Sequence, residues 1–532
     1  MTPLSLSDTD PAELAVDAIV VGLYSTEDRG PMLAPGAESV AVAFDGALAE
    51  TFALLGATGA VGEVTKLATL GTISAPVVAA VGLGPAPNGG AAASDESTGA
   101  GGKQASTDPG SGNHVGDTDV LRRSAAAAVR ALAGANKVAV ALPAPDGERF
   151  TAALRAIAEG ALLGTYRFAG YKTKPQPGRR DPVKSIAIHV SDASEKTAKA
   201  EAKRAGVVVA AVARTRDWVN TAPNDLRPPA FAEQVAAAAG DAGLEVEVLD
   251  ERALKKAGFG GILAVGMGSA EPPRLVRIAY SAPGASRSVA LVGKGITFDT
   301  GGYAVKPAQG MWEMKSDMSG AAAMASVMVA LASLRPNVNV TAYLPMAENM
   351  ISGTAYRPGD VVTMYGGRRV EVLNTDAEGR MILGDAIARA AEDEPDYLIE
   401  TSTLTGGQVI ALGKRIAGVM GHPELCERVK AAGERVGEPA WPMPIPDDVR
   451  KGMDSEVADV SQVNAGMDRA GHMLQGAAFL REFVPDGLQW AHIDIAGPAY
   501  HSGEPTGYWT KGGTGVPVRL VLEVLDDIAA NG

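Results

Sequence analysis

The chain is poor in the side chains that build the commonest hydrolytic centres. It has one cysteine, Cys426, in 532 residues. An internal disulfide and a cysteine-built metal cluster are thereby excluded, and the count fits a reducing compartment. Cys426 itself reads as a small hydrophobe rather than a nucleophile. The six histidines are His114, His189, His422, His472, His492 and His501. None forms a His-x-x-x-His pair, which removes a helix-borne zinc protease site. His114 falls in a low-complexity segment, while His189 and His492 sit in strand-like runs, where a structural role is expected. Ser352 and Ser402 lack the glycine spacing of a nucleophile elbow.

Positive charge is also short. Lys and Arg number 48 against 62 Asp and Glu, a formal net charge of -14. That balance argues against a nucleic-acid partner, whose phosphates call for basic surface. No run of 18 strongly apolar residues occurs, so no membrane span is expected. The opening MTPLSLSDTDPAELAVDA has neither a basic nor an apolar signal region, and a cytoplasmic location is expected.

What is present is a folded composition, 46% hydrophobic and 21% charged, long enough for two domains. Apolar runs at 18–24, 40–44, 52–55 and 76–83 read as strands. Residues 84–117 are Gly, Ala, Ser, Asp and Asn with almost nothing to bury, and read as a disordered insertion. A helix is expected at 120–133, a strand at 137–142, a helix at 149–165, an exposed connector at 175–182 and a strand at 184–190. The long helix 195–219 follows. This alternation predicts an α/β fold, with a small N-terminal domain over 1–183 and a larger domain with a mixed sheet over 184–532. Within the latter, strands are expected at 244–249, 274–280, 288–292, 338–344, 397–402 and 490–496. Helices are expected at 229–239, 251–257, 381–392, 476–482 and 518–529. Ser319 reads as the N-cap of a helix running to Leu334, and Gly366-Gly367 as a hairpin turn.

Two dense stretches carry the chemistry: LVGKGITFDTGGYAVKPAQGMWEMKSDMSG at 291–320 and NTDAEGR at 374–380. Asp299 closes a strand-like run, at the end of an α/β sheet where ligands bind. Asp317 precedes a helix, where an anion is favoured. Asp376 and Glu378, two apart, can converge on one point, and oxygen ligands of this kind suit hard or borderline cations. Lys294, between Gly293 and Gly295, stands in an apolar context where adjacent dications would favour a neutral nitrogen ligand. Lys306 can stabilise an oxyanion if charged, and Arg380 offers a planar fork to an anion. Taken singly, each could be an ordinary turn carboxylate or a solvated loop lysine. The residue types leave that reading open beside a two-metal hydrolytic site.

At these same residues the chain resembles the leucyl aminopeptidase family. The pattern VGKGxTFDxGGxxxKP is intact at 292–307, MKxDMxGAA at 314–322 and NTDAEGR at 374–380, with weaker likeness at 216–231, 403–407 and 490–497. The resemblance implies a looser metal site of Lys294, Asp299, Asp317 and Glu378. It implies a tighter one of Asp299, Asp376 and Glu378 with the Asp376 carbonyl. Asp299 and Glu378 would bridge. It implies Lys306 and Arg380 as the catalytic pair, Arg380 holding a bicarbonate general base. Met314, Thr403, Ala496 and Ala499 would line the pocket for the first side chain. The implied activity is removal of N-terminal leucine-like residues from short peptides, with manganese or zinc as the metal and a homohexamer as the assembly. A DNA-binding or regulatory protein on the same fold is the competing expectation. The family tends toward a Gly-Gly pair near 471, where this chain has Gly471 followed by His472, so an altered loop is expected at the rim of the site.

Overall fold

The computed structural model describes residues 2–27, 30–86, 115–145, 147–174 and 177–532. Nearly all of the segment read as an insertion, with His114, lies outside the described residues, as do residues 175 and 176 of the expected connector. The chain forms two α/β units, one of residues 1–167, 173–209 and 505–508, the other of 168–172, 210–504 and 509–532. The helix Lys196–Asn220 spans the change at 209 and 210.

In the smaller unit, five strands run parallel. In spatial order they are Leu4–Ser7, Ser185–His189, Lys137–Ala141, Ala18–Ser25 and Val77–Pro85, with Val64–Ala68 antiparallel at one edge. The runs at 40–44 and 52–55 are not strands. They fall in the helices Glu38–Ala43 and Leu48–Leu54. Leu48 and Phe52, four apart, are buried while Val42 and Leu54 face solvent. That is helical spacing, and five apolar residues in a row had concealed it. The edge strand Val64–Ala68 carries a lysine at its centre, and its weak alternation gave no signal.

The larger unit is built on a nine-stranded sheet among the described residues. Its centre is three parallel strands, Ser288–Gly293 with Asn339–Asn349 on one side and Tyr397–Ser402 on the other, with Gln489–Asp494 parallel beyond the last. Arg274–Tyr280 and Glu245–Leu249 extend one side antiparallel, and Ala417–Gly421 the other. Val361–Thr363 and Arg369–Glu371 form the expected hairpin. Gly260–Gly266 forms a short helix.

The helix Ser319–Leu334 packs its Ala and Met side chains into the core. The span Met311–Leu334 is apolar and long enough by composition to cross a membrane, but 78% of its most apolar window is buried inside the fold, as befits a core helix. Ser319 does not cap it. The 3-10 helix Met311–Met318 runs directly into it, Met318 takes the cap position, and the Ser319 hydroxyl donates to the Ser316 carbonyl. The helix start approaches the sheet so closely that a Cβ on Gly320 would lie 2.1 Å from the Thr401 carbonyl oxygen. Only glycine permits this approach, and it sets Asp317 against the carboxyl ends of the central strands.

Candidate metal centre

The functional side chains are delivered by the carboxyl ends of parallel strands and by the helices that follow them. Lys294 follows Ser288–Gly293, Asp299 closes the strand Gly295–Asp299, and Thr403 follows Tyr397–Ser402. Asp317 lies in the last turn of the 3-10 helix, and Glu378 opens the helix Glu378–Ala391. Asp376 stands in the turn just before it. Gly379 lets Lys294 reach Glu378, since a Cβ there would meet Lys294 Nζ at 2.6 Å.

The seven residues singled out in the two stretches converge. Lys294 Nζ lies 2.8 Å from Asp317 and 2.8 Å from Glu378, and donates to the Thr403 carbonyl at 3.1 Å. Lys306 Nζ lies 2.7 Å from Asp299 Oδ2 and 2.5 Å from Asp376 Oδ1. Carboxylate oxygens of Asp299, Asp376 and Glu378 stand within 4.8 Å of one another, close enough to share an ion. Four carboxylates crowd here against two ammonium groups, so acidic groups outnumber the lysines that face them. Buried charge of one sign is costly unless compensated, and divalent cations would compensate it.

Electrostatics follow from that crowding. Burial, then Glu378, pushes the Asp299 carboxyl up to about 6, and burial raises Asp317 well above the ordinary range and Asp376 above it. Burial also opposes the charge of Glu378, but Lys294 and Lys306 outweigh it and hold that carboxyl low. Against their own burial, both lysines are held protonated, Lys294 by Asp317 and Glu378, Lys306 by Asp299 and Glu378.

Arg380 is 1% exposed, donates Nη1 to the Gln462 carbonyl at 2.7 Å, and keeps Nε without a hydrogen-bond partner among the described residues. Burial lowers its guanidinium to about 10. A buried cation with a free donor fits a small anion such as bicarbonate.

Thr403 joins the cluster through Oγ1, which donates to Asp317 Oδ1 at 2.7 Å. Met314, half-buried, stands one turn before Asp317 on the 3-10 helix. Ala496 and Ala499 lie in the turn beyond Gln489–Asp494, their N–H groups donating to Asp494 Oδ1 and the Ile495 carbonyl. A cavity of about 230 Å³ opens beside Asp376, lined in part by Asn374, Arg469, His472 and Gln475. His472 therefore does stand at the rim, its imidazole lowered to about 4 by burial and then by Arg380. His492 is buried and pairs through Nδ1 with Glu400 on the neighbouring strand, a structural place as expected. Sequence reasoning missed Asn349, Tyr356 and Thr375, which hold the ligand-bearing turns. The strand expected at 338–344 runs on to Asn349, which brings that residue level with Asp299.

A cluster of acidic side chains able to hold a divalent cation, at the carboxyl edge of an α/β sheet, defines a metal-dependent hydrolase. Comparison with known proteins makes the class specific. Residues 213–522 match the catalytic domain, and residues 20–175 the N-terminal domain, of the cytosol aminopeptidase family. A probable cytosol aminopeptidase of Streptomyces griseus is 47% identical over 542 residues, covering 100% of this chain and 99% of that protein. One of Mycobacterium leprae is 50% identical over 420 residues, covering 78% and 79%. Among solved structures, the bottromycin maturation enzyme BotP in complex with Mn aligns with a TM-score of 0.79 at 32% identity, covering 96% of this chain and 99% of that one. A mutant of tomato leucine aminopeptidase aligns at 0.81 and 28% identity, covering 99% and 97%. The chain belongs to the cytosol aminopeptidase family. It is a metal-dependent aminopeptidase, a metallo-exopeptidase of the leucyl aminopeptidase type that acts on peptides.

Proposed function

We propose that the enzyme holds two divalent cations, manganese or zinc, and removes leucine or another apolar residue from the free N-terminus of short peptides. One cation would lie among Lys294, Asp299, Asp317 and Glu378. The other would lie among Asp299, Asp376, Glu378 and the Asp376 carbonyl. The observation that carries this reading is the convergence of four carboxylates, three of them buried, with two lysines at 2.5 to 2.8 Å. For Lys294 to serve as a nitrogen ligand, a cation must displace its proton, since the carboxylates alone keep it charged. When bound, the cations supply an activated water and polarise the first peptide carbonyl.

The chain's own groups do the rest. Lys306, 2.7 Å from Asp299, brings an ammonium group to the cluster, where it stabilises the developing oxyanion. Arg380, with its free Nε, would hold a bicarbonate, which when bound would supply a general base. Thr403 and Met314, beside Asp317, with Ala496 and Ala499, form the apolar wall that receives the first side chain. Packing of this kind discriminates modestly between apolar residues. The enzyme works in the cytoplasm with its family, and a homohexamer is the assembly that the family resemblance implies. Metal analysis of purified protein tests the central point. Two equivalents of divalent cation per chain are expected, falling toward one in Asp317→Asn. Absence of bound metal in active protein would overturn it.

A further inference from the structure

The strand Gly295–Asp299 pairs with Asn339–Asn349 through an irregularity. Ile296 stands opposite Ala347, but Asp299 stands opposite Asn349, so the first strand carries one extra residue. Without that bulge Phe298 would face Asn349. Bulges re-aim side chains at active sites, and this one puts Asp299 level with the Asn349 amide.

Asn349 is fully buried. Its Nδ2 donates to Asp299 Oδ1 at 2.8 Å and to the Thr375 carbonyl at 3.0 Å. Both partners accept only, so the orientation of the amide is dictated and both of its protons are used. Asp299 Oδ1 also takes the Gly301 N–H at 2.8 Å. Two donors thus occupy Oδ1 and leave Oδ2 facing Lys306. The Thr375 carbonyl is fixed a second time by Tyr356 Oη at 2.8 Å, and the Thr375 hydroxyl donates to the Gly301 carbonyl at 2.8 Å. Thr375 immediately precedes Asp376. One side chain therefore ties together two segments, distant in sequence, that each carry a carboxylate of the cluster.

We propose that Asn349 is a positioning residue of the metal centre, fixing the separation of Asp299 from Asp376 and making Asp299 a ligand through Oδ2 alone. This rests on the two-cation reading above. Asp299 Oδ2 would then be the oxygen left to a cation. An aspartate at 349 would set a carboxylate against two acceptors, and an alanine would free both segments.

The test is calorimetric titration of Mn²⁺ into the metal-stripped full chain, alongside leucyl amide kinetics at saturating Mn²⁺. Loss of a group that orients a metal ligand typically weakens binding about 10- to 100-fold. Asn349→Ala is expected to show that loss in the site using Asp299 and Asp376, with kcat reduced and KM for the amide little changed. A purely structural role would lower the unfolding temperature and leave the Mn²⁺ affinity of the folded protein at the wild-type value, which would overturn the proposal. Should Asn349→Ala fail to fold, Asn349→Ser retains one donor and is expected to bind Mn²⁺ with intermediate affinity; wild-type affinity there would equally overturn it. Wild-type protein that takes up no Mn²⁺ would overturn the metal reading itself, a result distinguishable from unchanged affinity in the variants.

Discussion

Lys306 and Lys294 carry the same charge in different surroundings. Lys294 is enclosed between Asp317 and Glu378 at 3% side-chain exposure, whereas Lys306 is 21% exposed and reaches Asp299 and Asp376 from the open side. Lys306→Ala, loaded with metal, is therefore expected to keep its fold by circular dichroism and lose about 100- to 1,000-fold in kcat, the usual effect of removing an oxyanion donor. Normal turnover would remove the role. Arg380→Lys keeps a charge but loses the planar fork that leaves Nε free for an anion. Turnover is expected to fall about 100-fold or more, in keeping with loss of a general base, with KM changed little. Steady-state kinetics at fixed bicarbonate checks this. The charged residues were legible in the sequence because their motifs are dense and their types are chemically uncommon beside glycine. Asn349, Tyr356 and Thr375 were not, because an amide or hydroxyl that grips a ligand from behind looks in sequence like any strand-end or turn residue.

At the scale of elements, one buried carboxylate shows how the scaffold is pinned. Asp385, in the helix Glu378–Ala391, accepts from the N–H groups of Ile262 and Tyr365 at 2.9 and 2.8 Å. It thereby ties the start of Gly260–Gly266 and the turn of the hairpin to the helix that opens with Glu378. Asp385→Asn would turn an N–H₂ toward one of those donors and is expected to cost about 1–3 kcal/mol, measured by denaturant unfolding. Burial pushes the Asp385 carboxyl up to about 7. The folded chain then keeps a proton that the unfolded chain has released, so this group's contribution to stability falls as pH rises from about 4, the ordinary aspartate value, toward 7. The variant cannot titrate, and its stability profile should be flatter across that window; a profile parallel to wild type would contradict the assignment. The parallel sheet was readable because its strands are short apolar runs between helices. The helices Glu38–Ala43 and Leu48–Leu54 were not, because runs of four or five apolar residues fit either period until burial picks out Leu48 and Phe52.

For the whole molecule, the net charge of -14 argues against a nucleic-acid partner, and the family membership points to peptides. No shift of duplex DNA in a gel at physiological salt is expected at micromolar protein. Light scattering is expected to give six times the 54.3 kDa chain mass, and a monomeric active species would contradict the hexamer. The central claim is that the buried carboxylate and lysine cluster makes this a metal-dependent exopeptidase. The most direct measurement is hydrolysis of leucyl amide and of its N-acetylated counterpart by metal-stripped protein, titrated with Mn²⁺ or Zn²⁺. Activity is expected to rise from near zero with added cation on the free amine substrate and to stay near zero on the blocked one. Equal hydrolysis of both, or full activity without metal, would contradict it.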